Sequence, residues 1–334
     1  MNSFSGRHLW RKDGSDPMCD IRLMPAIEPC RFVIVIPHYK GADLLRATLS
    51  AVLLATRPVD AVVVVDNGSL DGSGAVLADE FADVRWLRND RNKGFAAACN
   101  QGAALMQSRF VLFLNSDAMV PPDLLDRLAE FFEQTPLAGE VACHLVGLDG
   151  RAQRGTSVTP DLLSESGLRK RVRRGFRDPA RAARVEAVVG ACVALPRFVF
   201  ERIGGWDEGF FFYEEDIDLS VRVRHAGFEV WYLPDLKVVH GRGASTREVR
   251  LPAQLEAMRS RFYYIRKHFP RSVACALWVA RFLSLCLGVV GATFGTVATL
   301  GLHRGIRERA TRSLVALLWI LLLMRPRWSL SGRA

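Results

Sequence analysis

The chain has 334 residues, 49% of them hydrophobic and 24% charged, the composition of an ordinary globular protein with enough apolar material for a core. That length holds one large domain with an appendage or two modest domains. The net charge of +10, concentrated in the last third and around residues 169–184, favours anionic partners such as nucleotide phosphates, nucleic acid or an acidic membrane surface. Seven cysteines without CxxC or Cys/His ligand spacing argue against a zinc site or a disulfide framework and read as reduced core residues of a cytosolic protein.

In chain order, residues 1–30 read as a loose polar leader with no apolar core of a secretory signal. RFVIVIP (31–37) is a continuous apolar run closed by proline, which predicts a strand buried on both faces. A helix over 42–55, a second buried strand at 60–66, a turn-rich loop and a helix near 75–82 follow. VRWLR (84–88) predicts a third strand, FAAACNQGAALM (95–106) an alanine-rich helix, and FVLFLN (110–115) a fourth strand ending at Asn115-Ser116-Asp117. Residues 121–135 open with proline and show helical spacing. Strand and helix alternate four times, the pattern of a doubly wound α/β sheet whose ligands sit at the carboxyl ends of its strands.

Beyond Glu140 the pattern changes. VACHLVGLDGRAQR predicts a hairpin turning at Asp149-Gly150, residues 161–184 an arginine-rich flexible loop on the acceptor side, and VEAVVGACVALPRFVFERIG a strand and short helix. The segment GGWDEGFFFYEEDIDLSVRVRHAG places an aromatic run ahead of Glu214, Glu215, Asp216 and Asp218, then a helix ending near Gly227. A strand over 228–234 and His240 beside glycine come next. Residues 253–268 form a basic helix with aromatics; the uncharged run 282–302 is long enough to cross a bilayer, and 313–324 is too short. The arginine-rich connector between the two runs opposes a two-span hairpin, so in-plane or re-entrant membrane attachment is the expectation.

Several residues stand where chemistry would need them. Asp66 at the end of the second strand suits the imide of a pyrimidine or a ribose hydroxyl, and equally a helix cap. Asp117 ends the fourth strand, where a hard divalent cation bridging two phosphates needs oxygen ligands. Asn92-Lys93-Gly94 followed by Asn100 would set a cation and amides beside a diphosphate, or would simply open a tightly packed helix. A partly buried Asp216 with a raised pKa suits proton abstraction from a hydroxyl, although the acid cluster is also a favourable solvated helix start, and a lone strand-end His240 is often structural.

Taken together in this order, IPHYK, VVVDNGSLDGS, NKGFAAACNQG, FLNSD, the GGWDE…EEDID segment and VVHGRG resemble the family 2 glycosyltransferases, over residues 31–268 and especially the rhamnosyltransferase-like branch of bacterial surface polysaccharide synthesis. The resemblance implies a GT-A catalytic domain over 31–245 with a C-terminal, membrane-associating helical region over 246–334. It also implies a nucleotide-sugar donor, Mg2+ or Mn2+ and inversion at the anomeric carbon. By motif position it makes Pro37, Tyr39 and Asp66 nucleoside contacts, Asp117 and His240 metal ligands, Asp216 the catalytic base, and Trp206 and Asp207, with Glu215, acceptor-side residues. The metal-binding DxD element reads NSD here, so one carboxylate is missing and weaker cation binding is expected. The expected partners are a nucleotide sugar, a glycan or lipid-linked saccharide and the cytoplasmic face of the membrane; charge that is not interleaved with stacking aromatics, except at 259–268, argues against nucleic acid. A non-catalytic nucleotide-sugar-binding protein or a sugar nucleotidyltransferase is the alternative, the latter disfavoured because IPHYKGADLL lacks a glycine-rich basic loop.

Overall fold

The computed structural model describes residues 30–160, 178–241 and 250–298. The leader, most of the arginine-rich loop, the 242–249 loop and the second apolar run at 313–324 lie outside the described residues. Four parallel strands form half of the sheet: β1 (Cys30–His38), β2 (Ala61–Asp66), β3 (Arg85–Arg88) and β4 (Ser108–Leu114). Helices α1 (Ala42–Ala55), α2 (Ser73–Glu80) and α3 (Phe95–Ala104) connect them. The strand pattern explains the layering, because alternate residues leave the sheet on opposite sides. Phe32, Ile34, Ile36, Val62, Val64, Leu112 and Leu114 pack under α1 and α4 (Leu124–Gln134), while Val33, Val35, Val63, Val65, Val111 and Phe113 face α3. Gly102 lets α3 lie against the sheet; a Cβ there would sit 2.4 Å from Val35.

The second half departs from simple alternation. With β5 (Ala118–Met119), β6 (Ala138–Val146), β10 (Cys192–Pro196) and β11 (Glu229–His240), the sheet runs β3-β2-β1-β4-β10-β6-β11-β5, β10 being inserted antiparallel between β4 and β6. The short β7 (Thr156–Ser157) and β9 (Ala187–Val188) pair apart from this sheet, and β8 (Ala183–Arg184) joins β11. The hairpin expected at Asp149-Gly150 turns there, with Gly150 at φ 73°, but its return is a single bridge between Val146 and Ala152. Helix α5 (Arg197–Arg202) follows β10, and α6 (Glu215–His225) carries the acid cluster.

β11 spans Glu229–His240, well beyond the proline that reads as its end. Its pairing with β6 is irregular between Leu233 and Lys237, which absorbs Pro234, a residue with no N–H to donate, and resumes up to Val239. That continuation delivers His240 to β5 (Ala118–Met119). The C-terminal helices are α7 (Arg250–His268) and α8 (Arg271–Ala298). Within α8 the stretch Arg271–Gly291, of mean hydropathy 2.1, is long and apolar enough to cross a membrane. Cys99, Cys143 and Cys192 are buried as expected, whereas Cys275 is exposed on α8.

Candidate active site

The carboxyl ends of β2, β1 and β4 lie side by side, so Asp66, which ends β2, and the Asn115-Ser116-Asp117 segment that follows β4 leave the same rim. Asp66 is buried under the first turn of α2, where its Oδ1 accepts the Ser69 N–H at 2.9 Å. Gly74 makes room for it: a Cβ at that position would fall 2.1 Å from Asp66 Oδ2. Pro37 is half-buried in the neighbouring strand and Tyr39 is exposed at its mouth. The adjoining loop is tied down by Asn67, whose amide donates to Gly94 O and Asn92 Oδ1 (both 3.0 Å) and accepts from Lys93 N (3.0 Å). Lys93 itself is exposed beside them.

Asp117 and His240 meet because Ala118 pairs with His240 across β5 and β11. Their Oδ1 and Nε2 atoms are 3.4 Å apart, and Gly241 N donates to Asp117 O at 2.9 Å. A glutamine the sequence does not single out fixes the imidazole: Gln153 Nε2 donates to His240 O (2.8 Å), and its Oε1 lies 3.0 Å from His240 Nδ1. With Nδ1–H donated to Gln153, Nε2 accepts from the Asn115 amide at 3.2 Å and lies beside Asp117. Two donors of one octahedral cation at ~2.1 Å stand about 3 Å apart, so this pair suits a single hard or borderline ion. Among the described residues no group of three or more His, Cys, Asp or Glu could hold a metal. The described residues thus bring together two candidate donors, Asp117 and His240, which would fill two of six octahedral positions.

Asp216 reaches the same rim through backbone contacts. Asn115 N donates to Ala191 O at 2.9 Å, and the preceding Gly190 N donates to Asp216 Oδ2 at 3.1 Å. Oδ1 accepts from Ile217 N at 2.8 Å in the first turn of α6. Burial pushes the Asp216 carboxyl above its ordinary pKa against these N–H donors, the direction required of a base that must also release its proton. Glu215 is buried, and burial with the neighbouring Asp216 charge raises its pKa strongly.

Asn100, Trp206 and Asp207 are each engaged by the protein itself. Asn100 sits within α3 with both ends of its amide engaged: Nδ2 donates to Trp206 O and Glu208 Oε1, and Oδ1 accepts from Trp206 N, all at 2.9 Å. It secures the GGWDE turn rather than a diphosphate. Trp206 is a core residue, edge-on to Phe95 and Phe113 and 2% exposed, which removes its ring from any acceptor surface. Asp207 is bound to Lys267 (2.5 Å) and Tyr263 (3.1 Å) of α7.

One further acid lies beneath α6. Glu140 on β6 is fully buried, facing the Ser220 hydroxyl one helical turn beyond Asp216, and burial lifts its pKa to about 8. The folded state thus keeps a proton that the unfolded chain loses near pH 4.5, and stability falls as pH rises between those values. Glu140→Gln should flatten this slope, raising the unfolding temperature at pH 8 and changing it little at pH 5, as read by thermal denaturation across pH.

Known proteins resemble the chain in sequence and in fold. Residues 33–204 match the family described as Glycosyl transferase family 2. The N-acetylglucosaminyl-diphospho-decaprenol L-rhamnosyltransferase of Mycobacterium tuberculosis (strain ATCC 25618 / H37Rv) is 28% identical over 237 residues, covering 64% of this chain and 76% of that protein. The O-antigen biosynthesis protein RfbC of Myxococcus xanthus is 29% identical over 66% of this chain and 18% of its own length. Among solved structures, the mannosyltransferase PcManGT from Pyrobaculum calidifontis in complex with GDP-Man and Mn2+ has a TM-score of 0.53 at 17% identity, covering 88% of this chain and 90% of that one. The chain is a glycosyltransferase of GT-A fold and belongs to glycosyl transferase family 2.

Proposed function

We propose that this enzyme transfers a sugar, rhamnose from dTDP-rhamnose as the leading candidate, with inversion, to a hydroxyl of a lipid-linked or polysaccharide acceptor at the cytoplasmic face of the membrane. The observation that carries the reading is the continuous link Asp117–Asn115–Ala191–Gly190–Asp216, which sets the Asp117–His240 pair and the buried carboxylate on one rim. Asp66 is poised for the nucleoside, with Pro37 and Tyr39 at the mouth and Lys93 beside it.

In a single displacement the acceptor oxygen attacks the anomeric carbon, the bond from that carbon to the diphosphate breaks, and the bonding pair leaves with the nucleoside diphosphate. Asp216 takes the hydroxyl proton as the new C–O bond forms, while the Gly190 and Ile217 N–H groups fix its carboxylate. A divalent cation, Mg2+ or Mn2+, held by Asp117 and His240 would neutralise charge on the departing diphosphate. On the acceptor side, Glu215 would act as a buried neighbour of the base and Asp207 through the frame that α7 holds. Rhamnose and the lipid-linked acceptor are supported by the name of the mycobacterial relative. The membrane is supported by α8, where Val279, Leu283, Leu287, Val290 and Phe294 form one exposed apolar face.

The test is a panel of nucleotide sugars, reading released nucleoside diphosphate with Mg2+ or Mn2+ and again with chelator. We expect dTDP-rhamnose to be turned over fastest and chelation to stop release. Faster turnover of another donor overturns the sugar; no release from any donor overturns the reading as a whole.

A further inference from the structure

The only non-glycine residues with positive φ among the described residues are consecutive: Tyr213 at 71° and Glu214 at 67°. They stand immediately before α6. A left-handed conformation costs a residue with a side chain roughly 1–2 kcal/mol, so two in a row persist only where the surroundings hold them. Glu214 caps α6, and its carbonyl accepts the first helical bond, from Asp218 N at 2.9 Å. Its backbone setting therefore decides where the helix starts and where Asp216, two residues on, is aimed.

Two elements hold the segment that carries this strained pair. From one side, Phe95 N donates to Phe211 O at 2.9 Å, and Gly94 allows the approach, since a Cβ there would lie 2.8 Å from that oxygen. From the other side comes α7. Ser260 Oγ donates to Phe212 O at 2.7 Å, and the Arg261 guanidinium meets Glu214 Oε1 at 3.1 Å, with the Glu214 side chain 11% exposed. Neither α7 residue belongs to a motif shared with the donor site, and α7 itself reads from sequence as part of the C-terminal appendage.

We infer that Arg261 is a positioning residue for the catalytic base, pinning Glu214 in the left-handed conformation that aims Asp216 into the cleft. This rests on the assignment of Asp216 as base. The charge of Arg261 acts in the same direction, because it favours the ionised Asp216 carboxylate against burial. Around it stand the acids Glu214 and Glu215 on its own segment, Glu140 from β6 and Glu256 from α7, with Arg222 and Arg224 of α6 acting on Glu140. Arg261 acts on Asp216 itself, so its loss should raise the pH at which Asp216 becomes a competent base.

The experiment measures kcat, donor KM and the pH profile, read as diphosphate released from dTDP-rhamnose or the panel sugar turned over fastest. It compares full-length wild type with Arg261→Gln, Arg261→Lys, Glu214→Gln and Asp216→Asn. Arg261→Gln should lower kcat about 10- to 100-fold, the scale of a small misplacement of a catalytic group, with KM for the donor within about twofold. Its acid limb should move to higher pH, and Arg261→Lys should restore the limb and most of the rate. Glu214→Gln removes the pin and keeps the charge; it should lower kcat without raising the limb, and it serves where Arg261→Gln does not fold. Wild-type kcat and pH profile in Arg261→Gln, with Asp216→Asn inactive, overturns the inference and leaves the base assignment standing. A rate loss that follows thermal stability with an unmoved limb and no rescue by lysine also overturns it. An active Asp216→Asn removes both.

Discussion

Asp216→Asn should lower kcat by about 10²- to 10⁴-fold, the usual contribution of a general base, while donor affinity stays within about twofold. The substitution keeps the shape of the side chain and removes its proton affinity. It does place an amide where Asp216 now accepts N–H bonds from both Gly190 and Ile217, so one of these contacts becomes donor against donor. Matched thermal unfolding therefore belongs beside the rate measurement. Donor affinity should survive because Asp66 and the Asp117–His240 pair are carried on other strands. Near-normal turnover in a folded Asp216→Asn enzyme eliminates proton abstraction by this residue.

Asp218→Asn should cost about 3–5 kcal/mol of stability, the scale seen when one member of a buried ion network is removed. Asp218 is fully buried and is the common partner of two cations and an imidazole. Its Oδ1 takes Lys267 Nζ and His268 Nε2, each at 2.6 Å, and its Oδ2 takes Arg222 Nε at 2.7 Å. Arg222 in turn donates to Ile203 O (2.8 Å) and Gly205 O (2.6 Å), so the turn ahead of Trp206 hangs from the same carboxylate. Burial alone would raise the Asp218 pKa; His268, Arg222 and Lys267 outweigh it and hold it at about 2. The folded value lies below the unfolded one of 3.8, so this stabilisation is complete above roughly pH 4–5 and disappears as pH falls through about 2. Denaturant unfolding of wild type and Asp218→Asn should differ most near neutrality and converge in acid. A constant difference across pH rejects the ion network as its source.

What was legible in the sequence follows from how local the signal is. The strand over 31–37, the strand at 60–66 and Asp66 could be read because a strand buried on both faces needs an unbroken apolar run, and the first polar residue after it marks the rim. The antiparallel insertion of β10 between β4 and β6 could not be read, since strand order depends on pairings between residues nearly 80 positions apart, such as Cys192 with Leu114. Pro234 reads as a strand end, but a local irregularity absorbs it and the strand continues to His240. Gln153 and Gly190 carry no sequence signal: one acts through an amide on a distant imidazole, the other through a backbone N–H that any residue possesses. Asn100 and Trp206 stand in recognisable motifs, yet their packing against each other gives them a structural task. The clamp from α7 was invisible because Ser260, Arg261, Lys267 and His268 fit an ordinary basic helix, and only the fold shows which carbonyl and which acids they meet.

Because α7 is fastened to α6 by buried charge, and α8 folds back on α7 with Leu277 and Ala274 packed near Ile265, the greasy outer face of α8 cannot swivel independently of the cleft. A bilayer gripping that face would hold the reaction centre at one fixed height and tilt. Acceptors would then be selected partly by reach: the hydroxyl that is glycosylated is the one whose distance from its lipid anchor equals the gap between membrane and carboxylate, so the enzyme would work as a ruler as well as a catalyst.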